Sequence, residues 1–190
     1  MASVLRTRLL KRWVAAGFAG SRVSAGNVFF EGPVMYSYGL HYPMIRIVKD
    51  KQGRQVALVN ASYASSITVK QTGQMTYLLR QECPGIPQLY TRAINQVPGT
   101  PEGVAGIFED IDGALDKLGK ARRWGTFRSW RERLRWLEAD MRRYMDLFMT
   151  AGRRRAALRK LATRHARLAK LLTEEQMVTL SARELSHNLR

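Results

Sequence analysis

Met44-Ile45-Arg46-Ile47-Val48-Lys49-Asp50-Lys51-Gln52-Gly53-Arg54-Gln55-Val56-Ala57-Leu58-Val59-Asn60 sets two apolar, β-branched runs on either side of a cluster of turn formers. Val and Ile lose side-chain freedom in a helix and pack well on a pleated surface, so both runs favour strands. Asp50-Lys51-Gln52-Gly53 supplies an acid that bonds nearby backbone amides and a glycine that tolerates positive φ, which predicts a β-hairpin. Upstream, Val28-Phe29-Phe30 leads through Glu31-Gly32-Pro33 into Val34-Met35-Tyr36-Ser37-Tyr38, with Gly39 as punctuation; downstream, Ser66-Ile67-Thr68-Val69 suggests a further short strand. Four short strands predict a small, curved antiparallel sheet that needs an element packed on its apolar face.

Beyond Thr72 the period changes. Met75, Leu78 and Leu79 suit a short helix ending before Pro84, and residues 84–99, with Pro84, Gly85, Pro87, Pro98 and Gly99, read as a linker. Thr100-Pro101 is a helix start, and Val104, Ile107, Phe108, Ile111, Leu115 and Leu118 continue it. Phe127, Trp130, Leu134, Leu137, Met141, Tyr144 and Phe148 then alternate spacings of three and four, a heptad seam. Thr150-Ala151-Gly152 breaks that helix. Leu158, Leu161, His165, Leu168 and Leu172 repeat the pattern, so an antiparallel helical hairpin follows. Thr173 and Gln176 form a capping box for a last helix carrying Met177, Leu180, Leu185 and Leu189. The predicted class is α+β: a basic amphipathic helix in 1–26, a small sheet domain in 27–83, a linker in 84–99 and a helical hairpin or bundle with a basic surface in 100–190.

The 190 residues carry 32 Lys and Arg against 15 Asp and Glu, a net charge of +17 that calls for a polyanionic partner or an anionic surface. Four Trp, seven Tyr and six Phe argue against intrinsic disorder. One cysteine, Cys83, excludes an intramolecular disulfide framework, and with three His it leaves no evident zinc site, so no metal or cofactor is expected. No apolar run approaches the roughly 18 residues of a transmembrane helix. The first thirty residues hold Arg6, Arg8, Lys11, Arg12 and Arg22 and no acid, with Val4, Leu5, Leu9, Leu10, Trp13 and Val14 on one helical face. Three readings fit them: a helix docked on the rest of the chain, an organellar transit segment directing the protein to an organellar matrix, or a helix lying on an anionic membrane surface.

Charge is unevenly placed. Residues 117–170 hold 18 bases and 4 acids, whereas 100–116 hold Glu102, Glu109, Asp110, Asp112 and Asp116 and no base, so the acidic helix is a candidate neutraliser in cis. Five acids cannot silence the basic segment. The candidate nucleic-acid-binding residues are Arg122, Arg123, Arg128, Arg131, Arg135, Arg142, Arg143, Arg153, Arg154, Arg155, Arg159, Lys160, Arg164 and Arg167. Arginine forks suit phosphate and stack on bases. Trp124 and Trp136 fall off the seam and are candidate stacking platforms, while Trp130 belongs to the core.

Catalytic signatures are thin. Phosphate-binding glycine loops, His-Glu-x-x-His and Gly-x-Ser-x-Gly are absent from the sequence. Asp110-Ile111-Asp112-Gly113 lacks the remaining ligands of a calcium loop and reads as helix. His41, with Glu31, is the one candidate general base, set against the simpler reading of a structural histidine beside a turn.

Tyr36-Ser37-Tyr38-Gly39-Leu40-His41-Tyr42-Pro43-Met44-Ile45-Arg46-Ile47, with Val56–Asn60 and Ser65–Thr72, resembles small uncharacterised domains of bacteriophages and plasmids over residues 28–80. Relatives of that kind tend to carry a second His after the Thr-rich stretch, where this chain has Gln71 or Gln74, which counts against a two-His site. The resemblance implies a mobile-element origin and no particular activity. It places the protein in a bacterial cytoplasm or a virion and weakens the transit-segment reading. Sequence thus leads to a nucleic-acid-binding accessory protein, for DNA or RNA, that reads no base sequence. The alternative is an oligomeric interaction or virion-structural protein, assembled as a homo-oligomer through the Phe127–Phe148 seam and binding an acidic partner.

Overall fold

The computed structural model describes residues 2–62, 65–121 and 123–171. The chain divides into two compact units, residues 1–103 and 104–190. In the first, helix α1 (Ala2–Ala15) precedes strands β1 (Val23–Ala25), β2 (Val28–Glu31), β3 (Val34–Ser37), β4 (Pro43–Lys49) and β5 (Gln55–Asn60), then helix α2 (Ser66–Glu82) and strand β6 (Gln88–Thr91). The strands form one sheet in chain order, antiparallel except for the β5–β6 pair. The fold is α+β, as the sequence predicts.

The hairpin that opens the sequence argument is β4–β5, paired Ile45↔Val59 through Lys49↔Gln55. Its turn is organised by Asp50, whose Oδ1 accepts from the Gln52 and Arg54 amides at 2.8 and 2.9 Å while Oδ2 accepts from Arg54 Nε at 2.9 Å. Gly53 takes φ +79, the left-handed value that the turn requires.

One face of the sheet is covered by α1 and α2. Leu9, Leu10 and Trp13 of α1 and Met75 and Leu79 of α2 join Val28, Phe30, Met35, Ile45, Ile47 and Ala57 of the strands in one buried core. Helix α1 stops early for a structural reason. The Gly17 amide donates to Val14 O and the Phe18 amide to Trp13 O, with both residues at positive φ, the geometry of a Schellman cap. Phe18 then packs edge-on against Trp13 at 4.9 Å, and Trp13 Nε1 donates to Gly32 O at 2.8 Å. The α1 helix therefore ends at Ala15, and residues 23–25, expected within the N-terminal helical segment, form edge strand β1 instead. Its hairpin with β2 turns at Gly26, φ +62.

Two further expectations are corrected. Ser66–Val69 is the first turn of α2 and not a strand. Ser65 Oγ accepts from the Thr68 amide, and Thr72 and Thr76 send their hydroxyls back to Thr68 O and Thr72 O, both at 2.9 Å. The cap and these return bonds let β-branched residues sit in a helix that buries Thr68, Gln71, Thr72 and Met75. Residues 84–99, expected as a linker, contain β6. The β5–α2–β6 crossover brings the chain back parallel to β5, where Leu89 and Thr91 are buried and the Ala57 amide donates to Pro87 O.

The Tyr36–Pro43 motif joins β3 to β4. The Gly39 amide donates to Ser37 O at 2.8 Å across Tyr38, which takes φ +62, making a tight three-residue turn. Ser37 Oγ donates to Gln71 Oε1 at 2.5 Å inside the core, which anchors α2 to the sheet.

The second unit contains most of helix α3 (Pro101–Gly119), with α4 (Trp124–Phe148) and α5 (Ala151–Leu171). Thr100 starts α3 as expected: its hydroxyl accepts from the Gly103 amide, with Pro101 in the first turn. The expected helix at Thr173 and the seam residue Leu172 lie outside the described residues. No helix among the described residues is long and apolar enough to cross a membrane.

Burial pushes the Asp50 carboxyl up, but the hydrogen bonds from the Arg54 and Gln52 amides and the Arg54 side chain outweigh it and hold the group below its ordinary value. A depressed folded pKa adds stability above the unfolded carboxyl's pKa of about 4 and loses it as pH falls through the folded value. Asp50→Asn is therefore expected to flatten the loss of urea resistance between about pH 5 and pH 2. Identical pH profiles for the two proteins would show that the turn carboxylate is not linked to folding.

Candidate nucleic-acid interface

The seam decides which way the α4 cations point. Phe127, Leu134, Leu137, Met141 and Tyr144 are buried, and Trp130 is half-buried beneath Lys117 Nζ, 4.5 Å from its ring. A helix advances about 100° per residue, so Arg128, Arg131, Arg135 and Arg142 fall in a strip about 60° wide on one flank of that seam, with Arg131 nearest to it. Arg128, Arg135, Arg142 and Arg143 are exposed and Arg131 is half-buried.

The other cations are sorted by carboxylates of the same chain. Arg164 of α5 pairs with Asp112 of α3 at 2.5 Å, and its guanidinium lies 4.3 Å over the Phe108 ring. Arg167 pairs with Asp116, and Arg154 with Asp146 at 2.9 Å across the α4–α5 corner. His165 Nε2 lies 2.8 Å from Glu138 Oε1. Thus Asp112 and Asp116 of the 100–116 segment do neutralise basic residues of α5 in cis. Arg143 and Arg133 face Asp140, whose carboxyl burial pushes up against their opposing pull. Arg153 has a partner of its own.

No carboxylate among the described residues lies within ion-pair distance of Arg123, Arg128, Arg131, Arg135, Arg142, Arg155, Arg159 or Lys160. Three of these, Arg128, Arg131 and Arg135, line an open recess of about 430 Å³ together with Glu132 and Trp136. The five residues sit at i, i+3, i+4, i+7 and i+8, so successive turns of one helix carry them on one face. Trp136 is 64% exposed, the most exposed large apolar side chain among the described residues. An indole left in water forgoes a burial worth roughly 2–3 kcal/mol.

The structure thus gathers Arg128, Arg131, Arg135 and Trp136, continues their strip through Arg142, and leaves Arg155 and Arg159 one turn apart on the exposed side of α5. Arg122 lies outside the described residues, as does the Trp124 side chain. Glu132 is the lining residue that sequence reasoning passed over, although its position one turn from both Arg128 and Trp136 was visible in the spacing.

Other candidates assemble nothing comparable. His41 is exposed and has no hydrogen-bond or ion-pair partner among the described residues. Cys83 is half-buried, and burial with the neighbouring Glu82 charge pushes its thiol up, away from the reactive thiolate. No group of three metal-ligating side chains occurs among the described residues. No protein family, curated protein or solved structure matches the chain.

The sorting of the arginines has a measurable consequence. Arg164→Ala removes an ion pair, a cation–π contact and the packing of a largely covered stem, and is expected to cost about 1–2 kcal/mol of stability. Arg128→Ala and Arg135→Ala should stay within about 0.5 kcal/mol of the parent. Urea unfolding followed by far-ultraviolet circular dichroism checks the contrast, and equal losses at all three positions would refute it.

Proposed function

We propose that the chain binds nucleic acid without reading sequence, through the outward face of α4, as an accessory protein of the mobile-element kind that its Tyr36–Pro43 motif resembles. One observation carries this reading: Arg128, Arg131 and Arg135 share one helical face, without a carboxylate partner among the described residues, around an exposed Trp136. Guanidiniums held in cis contribute little to an external anion, whereas unpaired ones displace condensed counterions when they meet phosphate. The competing oligomer through the Phe127–Phe148 seam is less favoured, because the chain itself buries most of that seam.

Binding should therefore weaken linearly in log–log coordinates as salt rises. Replacing Arg128, Arg131 and Arg135 together by Ala is expected to lower the slope by about 2 to 3, at roughly 0.7 to 0.9 per phosphate. A control that removes the same charge from exposed positions of the first unit, Arg8→Ala, Arg12→Ala and Lys51→Ala, should change the slope by less than about 1. Fluorescence anisotropy of labelled duplex and single-stranded oligonucleotides across a salt series measures both. No binding at low salt, or equal effects of the two triple variants, would overturn the assignment to α4.

A further inference from the structure

Phosphate binding alone gives no use for Glu132. A carboxylate in the middle of three guanidiniums repels the anion those guanidiniums attract. It is also the one hydrogen-bond acceptor among the side chains that line the recess, since arginine and the indole only donate. A volume of about 430 Å³ lies within the roughly 300–1,000 Å³ of small-molecule clefts, ample for a planar heterocycle.

We propose that this recess takes one unpaired nucleobase bearing an exocyclic amine, and so gives the protein a preference for single strands of a particular composition. Trp136 stacks on the face of the base. Glu132, one helical turn before it, accepts a hydrogen bond from the amine. Arg128, Arg131 and Arg135 meet the flanking phosphates. The inference rests on the nucleic-acid reading of the preceding subsection and deepens it.

Each part follows from the chemistry of the ligand. A base inside a duplex has both faces covered by its neighbours, so an exposed indole gains a stacking partner only from an unpaired one. Cytosine, adenine and guanine carry an exocyclic amine that a carboxylate can accept from; thymine and uracil present a carbonyl oxygen there, and their one ring donor, N3–H, lies between two carbonyl oxygens that repel a carboxylate. Glutamate thereby disfavours thymine and uracil, and the amine-bearing bases offset its repulsion of phosphate.

The test uses the full chain with labelled 16-residue oligo-dC and oligo-dT and a duplex of equal length, at pH 8 and low salt. The parent is expected to bind oligo-dC about fivefold more tightly than oligo-dT, the scale of one hydrogen bond. Glu132→Ala should bring that ratio close to one and tighten oligo-dT binding, because a negative charge has gone. Trp136→Ala should weaken both single strands at least fivefold and leave the duplex unchanged, while Trp136→Phe retains most of the affinity. Circular dichroism confirms that these exposed substitutions keep the helices. Equal oligo-dC and oligo-dT affinities in the parent, a ratio that Glu132→Ala does not move, or a Trp136→Ala effect shared by the duplex overturns the base pocket while the nucleic-acid reading stands. Failure of the parent to bind all three probes overturns that reading and the pocket together.

Discussion

Burial of the α4 seam is the constraint on which the second unit depends. Once Phe127, Leu134, Leu137, Met141 and Tyr144 are withdrawn from water, the 3.6-residue period leaves no freedom in where the intervening residues point. Arg128 and Arg135 face outward, with the half-buried Arg131 and with Glu132 and Trp136 beside them. The candidate interface is thus a geometric consequence of the core, and any change that rotated the seam would turn the recess with it. Lys117 over Trp130 adds a cation–π contact from α3 at the edge of the same seam, worth about 0.5–1 kcal/mol at a partly exposed site.

Electrostatics then divides a uniformly basic segment into two populations. The acids of α3 reach α5, where Asp112 and Asp116 hold Arg164 and Arg167, and Asp146 ties Arg154 to the end of α4. These pairs fix structure. They also remove from contention three cations that net charge alone would count toward a phosphate-binding surface. Arg128, Arg131, Arg135 and Arg142 of α4 have no ion-pair partner among the described residues, so a +17 chain keeps unpaired cations there despite internal pairing elsewhere.

Much of this was legible in the sequence where a pattern was local. The Met44–Asn60 hairpin, the Thr100-Pro101 helix start and the Phe127–Phe148 seam each rest on residues that act within a few positions of one another, and each is present in the structure. The errors lay where a distant partner decides. Ile67, Thr68 and Val69 have strand propensity, but the Ser65 cap and the burial of Met75 and Leu79 against the sheet make a helix of them. Strand β6 has four residues between prolines, and only its place beside β5 makes it a strand. At the site, the cations and Trp136 could be named from spacing, whereas the division between paired and unpaired guanidiniums depends on contacts some fifty positions apart, as between Asp112 and Arg164. Glu132 was hidden by its sign: a search for basic residues does not look for the acid among them.

The interior charges of α4 also run against what a helix favours. Arg123 occupies its N-cap without a side-chain hydrogen bond, the first turn has no acid, and the last turn has no base. A helix dipole favours negative charge at that N-terminal end and positive charge at the other, each worth about 0.3–1 kcal/mol. Arg128 and Arg131 lie beyond that first turn, where the dipole has faded, and repel one another across one turn. Lys or Arg placed toward the C-terminal end, with acids in the first turn, would have stabilised α4 more. Helix α4 thus forgoes a side-chain cap at Arg123 and burial at Trp136, and its buried seam offsets both. Under the proposed function, the phosphates of a polyanion with exposed bases would meet the α4 arginines and a base would cover the indole. An acidic peptide would meet the guanidiniums equally well, so our proposal of a nucleic-acid strand with its bases turned out rests on the exposed Trp136 as a stacking face.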